Sequence, residues 1–196
     1  MKNIRLPLLV LAVALATACS SDNPNSLGNL ADPVDIPTSV VSVVLNEVEY
    51  LGDRVEIFNE GTTVVDLSGY FLCLGPGTYS QIGTLTVRGD LNIQPGQYVV
   101  VTYDMATDAG GLGLYFNDSD FSDATTMADF VQWGATGSPR EGVAIEAGLW
   151  PVGDFVPVSG DSDNSLVYDG EGETAGDWSE STTTTFGQEN VPTAPQ

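Results

Sequence analysis

The sequence predicts an all-β sandwich with one short helix, and three observations predict it. Val43–Leu74 reads as three short strands joined by the turns Leu51-Gly52-Asp53 and Glu60-Gly61-Thr62, a meander opening. Turn signals then recur every ~8–12 residues, the spacing of a sandwich. Helix start and stop signals occur together once, between Ser138 and Gly148.

The elements follow in chain order. Val43–Val48 is apolar and β-branched. In Val55–Asn59, Val55, Ile57 and Asn59 alternate with Glu56 and Phe58, the two-residue period of a strand. Val64–Leu74 is read as one strand, with a kink or bulge at Gly69 and local caps from Asp66 and Ser68. Gly75-Pro76-Gly77 is a turn, and Ile82–Val87 a further strand. Gln94-Pro95-Gly96-Gln97 carries Pro and Gly where a type II turn needs them. It leads into Tyr98–Tyr103, YVVVTY, a strand apolar enough to be buried on both faces. Leu112–Phe116, Ala128–Trp133 and Ser165–Tyr168 complete about eight strands. Between them, Ser138-Pro139-Arg140-Glu141 fits a capping box opening a helix through Ala147 that Gly148 stops. Trp150–Val158, broken by two prolines and a glycine, is an ordered covering loop, and Asp177-Trp178-Ser179 with Thr185-Phe186-Gly187 a terminal cover. One core is expected through Ile57, Leu67, Leu72, Val99 and Val101.

The first 18 residues form a separate unit. Lys2 and Arg5 precede the apolar run Leu6–Leu15 and a small-residue end, the three-part pattern of a secretory signal. Leu15-Ala16-Thr17-Ala18-Cys19 resembles the bacterial lipobox, with Ala16 where Leu is more usual. The resemblance implies a diacylglycerol thioether on Cys19, which becomes the mature N-terminus, and anchoring through several acyl chains. An ordinary signal peptide cut near Ala18 is the other reading of the same residues. Ser20, rather than Asp, after the cysteine implies an outer-membrane or cell-surface address in the bacterial envelope. Residues 19–39 are polar and rich in Pro, Asn, Gly and Ser, a flexible tether. Residues 40–190 form the domain, and 191–196 a Pro-containing tail.

Charge narrows the partners. Of five basic residues, removal of the leader leaves Arg54, Arg88 and Arg140 against 27 acids, a net charge of −24 with no lysine. Such a chain repels phosphate backbones, so nucleic acid is not an expected partner. With Cys19 lipidated, Cys73 has no disulfide partner and reads as a small buried hydrophobe between Leu72 and Leu74.

Once the strands are placed, three blocks stand out: Asn46-Glu47-Val48, Arg54-Val55-Glu56-Ile57-Phe58-Asn59 and Val65-Asp66-Leu67-Ser68-Gly69-Tyr70-Phe71-Leu72. Together they resemble the opening of the lamin-tail domain family. Leu91–Val101 is similar to that family's Pro-Gly turn and following strand. Ser165-Leu166, Asp177-Trp178 and Phe186-Gly187-Gln188-Glu189-Asn190 resemble its ending, with Phe186 in place of a common proline. The match covers Val43–Val101 and, more weakly, Ser165–Asn190; Asp104–Asn164 is less typical. The resemblance implies an immunoglobulin-like β-sandwich acting as a non-enzymatic binding or attachment module, with a protein or glycan as partner and no catalytic residues. The chain has neither heptads nor a basic patch, so filament assembly and DNA binding do not carry over.

The residues themselves exclude several chemistries. The chain has no histidine, which removes Ser-His-Asp and Cys-His catalysis and His-ligated zinc. Without lysine in the mature chain there is no phosphate loop of the Gly-rich Lys type. A carboxylate pair stays open, since its chemistry depends on spacing in three dimensions. Calcium is the one cofactor considered: Asp118, Asp120 and Asp123, and separately Asp161 and Asp163, gather oxygen ligands in polar loops, though neither fits an EF-hand. A solvated acidic loop is the plain alternative. Trp133, Trp150 and Trp178 are candidates for a sugar-stacking platform or, more simply, for the core. No ligand-binding residue is otherwise assigned.

Overall fold

The computed structural model describes residues 42–190, all within one unit, Ser39–Gln196. The signal peptide, Cys19, the tether and the tail lie outside the described residues. The fold is all-β and sandwich-like: antiparallel sheets and one short helix.

Among the described residues, twelve strands make three sheets. The first has six strands in the order β12-β11-β1-β2-β8-β6. These are β1 Val43–Val48, β2 Arg54–Asn59, β6 Val87–Arg88, β8 Tyr98–Thr102, β11 Ser165–Tyr168 and β12 Trp178–Ser181. The second is β10-β9-β4-β5, built from β4 Phe71–Gly75, β5 Thr78–Gln81, β9 Gly110–Tyr115 and β10 Met127–Trp133. β3 Val65–Asp66 and β7 Asn92–Ile93 pair alone. The expected core forms as one cluster: Ile57, Val99 and Val101 from the larger sheet meet Leu72, Leu112 and Leu114 from the smaller, with Leu67 between. Ile57, Leu67, Leu72, Val99 and Val101 are all fully buried, as is Cys73. Apolar side chains that can leave water only by meeting across the two sheets drive this arrangement.

The structure corrects the reading of Val64–Leu74 as one strand. Only Val65–Asp66 is extended; Leu67–Gly69 is a 3-10 turn, and β4 begins at Phe71 in the other sheet. The Asp66 carboxylate accepts from the Ser68 N–H at 2.9 Å, capping that turn, so the chain changes sheets where a kink was expected. Ile82–Val87 is likewise not a strand. β5 precedes it, Ile82–Thr84 is a 3-10 turn that buries Ile82, and pairing resumes only at β6. Ile82 donates its N–H to Tyr70 O, a long-range bond that local alternation cannot signal. Asp177-Trp178-Ser179 is more than a cover: Trp178 starts β12, the edge strand of the six-stranded sheet.

The expected capping box does not form. The helix, α1, spans Glu141–Ala147, and its N-cap is Arg140 with no side-chain cap. Ser138 donates its backbone N–H to the buried Gln132 side chain, and its hydroxyl lies against Gly111 of β9. Tertiary packing therefore takes the serine that would have capped. Glu141 accepts from the Gly137 and Gly153 N–H groups, tying together the two loops around α1. The helix ends as expected at Gly148, whose φ of 76° is the left-handed conformation glycine adopts without strain.

The type II turn is also in place: the Gln97 N–H donates to Gln94 O at 3.0 Å, with Gly96 at φ 73°. Trp150–Val158 covers β10, with Trp150 edge-on to Phe130 at 5.7 Å and Val156 bridged to Trp133.

Candidate functional site

The six-stranded sheet has an outer face that the register defines. Glu47 of β1 lies opposite Glu56 of β2, and Glu56 opposite Val100 of β8. A bulge between Leu45 and Glu47 turns Glu47 onto the same side as Glu56. Both glutamates are fully buried, because the segment Thr183–Asn190 crosses over them. Glu47 accepts from the Ser165 hydroxyl at 2.6 Å and from the Thr185 backbone N–H at 2.9 Å and hydroxyl at 2.8 Å. Glu56 accepts from the Asn46 side-chain amide at 2.8 Å and, in a very short bond, from the Gly187 N–H. Asn190 closes the clamp by donating its amide to Asn46 O and Tyr168 O, both at 2.8 Å. Phe186 is buried beneath the Arg54 guanidinium, 4.3 Å from the ring centroid, while Arg54 pairs with Glu49.

Motif residues separated by up to 144 positions thus form one hydrogen-bonded cluster. Asn59, the last residue of the second block, does the same beside it. Its amide donates to Thr63 O and Ile93 O, and its own carbonyl accepts from the Gly96 N–H, fixing the Pro-Gly turn.

Burial governs the chemistry of Glu56. Desolvation, only partly offset by the Gly187 and Asn46 hydrogen bonds, pushes its carboxyl up to about 7. An acid whose folded pKa lies above its unfolded value binds protons on folding. Its contribution is therefore best at low pH, and it is lost as pH rises from about 4.5 to about 7. We expect Glu56→Gln to remove a decline of about 2 kcal/mol between pH 5 and pH 8, discounted because the carboxyl lies under a surface segment. Asn46 can turn its amide so that the glutamine stays paired, and the Gly187 N–H keeps an acceptor. Urea-denaturation midpoints at the two pH values measure this; equal pH slopes in wild type and variant would show that Glu56 is not the group responsible.

Beside the clamp the same face opens into a cleft of about 560 Å³. Its aromatic wall is Phe58 and Tyr98, paired across β2 and β8 and stacked at 4.7 Å between centroids with Tyr168 nearby. Glu60, Asp169 and Glu189 bring carboxylates to it, and Asn46 and Asn190 their amides. No basic residue lines it. Tyr98 has its hydroxyl pKa raised, by burial first and then by Glu56 and Glu189. The sequence reading missed this cleft. No hairpin turn links β2 to β8, so the pairing of Phe58 with Tyr98 had no local signal in the sequence.

The calcium candidates are not gathered. Asp120 caps Ser122, Asp123 caps Thr125 and Asp161 caps Asp163, each through one carboxylate oxygen in a short local turn. Asp118 is exposed. Among the described residues no three Asp, Glu, His or Cys side chains are grouped so as to hold a metal ion. The tryptophans form no exposed platform: Trp133, Trp150 and Trp178 are all buried. Arg140 is buried too, 5.8 Å over the Phe121 ring, with its Nε lacking an acceptor.

Among the described residues no helix is long and apolar enough to cross a membrane. Compared with known proteins, the chain matches no family model, and neither a curated protein nor a solved structure is significantly similar to it.

Proposed function

We propose that this chain is a lipid-anchored, non-enzymatic protein of the bacterial envelope, outer membrane or cell surface. In this reading its domain is an immunoglobulin-like module of the lamin-tail type that acts by binding through the cleft over Phe58 and Tyr98. The observation that carries it is the division of labour on one sheet face. The buried carboxylates of Glu47 and Glu56 are spent holding backbone, whereas the neighbouring cleft presents aromatic surface and carboxylates to solvent. A cleft with a few convergent polar groups on a rigid sheet is the usual form of a ligand site. The clamp also supports the family reading, since it gives Asn46, Glu47, Glu56 and Asn190 one shared structural reason to occur together. No histidine is available as a general base, and Glu47 and Glu56 lie beneath a covering segment.

Cys19 is the anchor in this reading. Full-length wild type expressed in a Gram-negative host should incorporate radiolabelled palmitate and sediment with the envelope. Cys19→Ser should incorporate none and appear soluble or uncleaved. An unlabelled wild type, or a variant as tightly membrane-bound as wild type, rules the anchor out.

A further inference from the structure

We infer that the cleft beside the C-terminal clamp takes a cationic, donor-only side chain of a partner peptide, best matched by arginine. The inference rests on the reading of this cleft as the binding site and names the chemistry of what it binds.

The argument is a count of donors and acceptors. The Asn190 amide donates to two carbonyls, and the Asn46 amide donates one N–H to Glu56. The Tyr168 hydroxyl donates to Gly172 O at 3.0 Å. Among the described side chains that line the cleft, the Tyr98 hydroxyl and the second N–H of the Asn46 amide are the donors left uncommitted. Acceptors are in excess: the Glu189 carboxylate accepts no hydrogen bond among the described residues, and Asp169 uses one oxygen, for the Glu171 N–H at 2.8 Å. A sugar hydroxyl both donates and accepts, so it matches a mixed lining. A guanidinium has five N–H donors and no acceptor, and so matches this one. It also stacks on aromatic faces, which the Phe58–Tyr98 pair supplies. Electrostatics select in the same direction: three carboxylates and no cation line the cleft of a chain with net charge −22. A second copy of this chain offers a single such side chain. Arg54 is paired with Glu49, Arg140 is buried, and only Arg88 of the three arginines in the domain is exposed and unpaired by a salt bridge among the described residues.

The test is calorimetric titration of the full chain with the capped peptide Gly-Arg-Arg-Gly, and with three comparison probes: the capped peptide Gly-Glu-Glu-Gly, spermidine and cellotetraose. We expect the arginine peptide to bind, to weaken with added salt, and to lose at least tenfold in affinity in Glu189→Gln and in Tyr98→Leu. Asp118→Asn, an exposed acid on another loop, should leave affinity unchanged. Glu189 is exposed, so its variant stays folded even if Tyr98→Leu does not. Equal losses in Asp118→Asn and Glu189→Gln would reduce the effect to general charge and overturn the site. Tighter binding of spermidine than of the arginine peptide overturns the peptide assignment. Cellotetraose binding that Tyr98→Leu abolishes overturns the cationic class while leaving the cleft as the binding site. Binding of none of the four probes overturns both the class and the reading on which it rests.

Discussion

Glu47→Ala is expected to lower the stability of the domain by about 3–5 kcal/mol, a large part of what a domain of this size has. The alanine leaves the Ser165 hydroxyl and the Thr185 N–H without their acceptor under a buried surface. Each orphaned donor costs about 1–3 kcal/mol, and the void left by the side chain adds to that. The loss should also be local. Thr185 links Glu47 to Asn190, and a hydroxyl has one proton, so it serves one of these two acceptors at a time. A glutamine at position 47 resolves that competition. Its amide donates to the Thr185 oxygen, the Thr185 proton goes to Asn190, and the glutamine carbonyl still accepts from Ser165 and Thr185 N. Glu47→Gln should therefore cost only about 1 kcal/mol. Denaturant unfolding gives the two losses, and amide exchange at Thr185 and Gly187 locates them. Alanine and glutamine variants of equal stability, or unchanged exchange at those amides, would show that the clamp does not hold the C-terminal segment.

Why the clamp was hard to read explains how far the sequence reaches in this protein. Strands whose apolar residues alternate strictly, or run continuously, were legible: β1, β2, β8, β10 and β11 lie where period and composition place them. So were the turn at Gln94–Gln97 and the stop at Gly148, where local chemistry and structure agree. Glu47 and Glu56 were not legible as buried. In the pattern Val55-Glu56-Ile57 a glutamate reads as the solvent face of a half-buried strand, and so it would be without Thr183–Asn190 above it. The segment that buries them lies some 130 residues away, beyond any local period. Val64–Leu74 failed for a related reason. Its two ends are apolar as a strand is, and Asp66, Ser68 and Gly69 read as a kink between them, but Leu67 is buried at the crossing between sheets, not within a ladder. Ser138 failed because a good helix cap was drawn into packing against Gly111.

The candidate site divides in the same way. Of the residues in the resembling blocks, Glu47 and Glu56 are tied into the clamp, while Phe58, Tyr98 and Glu189 line the cleft together with Asp169, which lies in none of the blocks. Acidic runs drew attention because they are dense in sequence. Density there reflects local turn capping, in which Asp120, Asp123 and Asp161 each serve the amide two residues on.

Trp133→Ala should cost about 3–5 kcal/mol, and the reason bears on function as well as stability. Trp133 ends β10 and is fully buried; its indole N–H donates to Thr107 O at 2.9 Å, and its ring lies 6.4 Å from that of Tyr50. The backbone fits it closely. Gly110, its cross-strand partner, is packed tightly, since a Cβ there would stand 3.2 Å from the indole, closer than ordinary contact. Tyr50 in turn bonds Glu180 and accepts from the Gly160 N–H, so the indole supports the contact between the first turn and β12. Truncation opens a cavity that a β-strand wall cannot collapse to fill. Trp133→Phe should cost less, about 1–3 kcal/mol, through the unpaired Thr107 carbonyl and the smaller ring. If instead the tryptophans formed a sugar platform, the variant would lose binding and keep its stability. The two cases separate in one experiment on the folded protein: tryptophan emission should be blue-shifted and poorly quenched by acrylamide. Emission near that of free tryptophan, with Trp133→Ala as stable as wild type, would return these residues to the surface and to the list of ligand contacts.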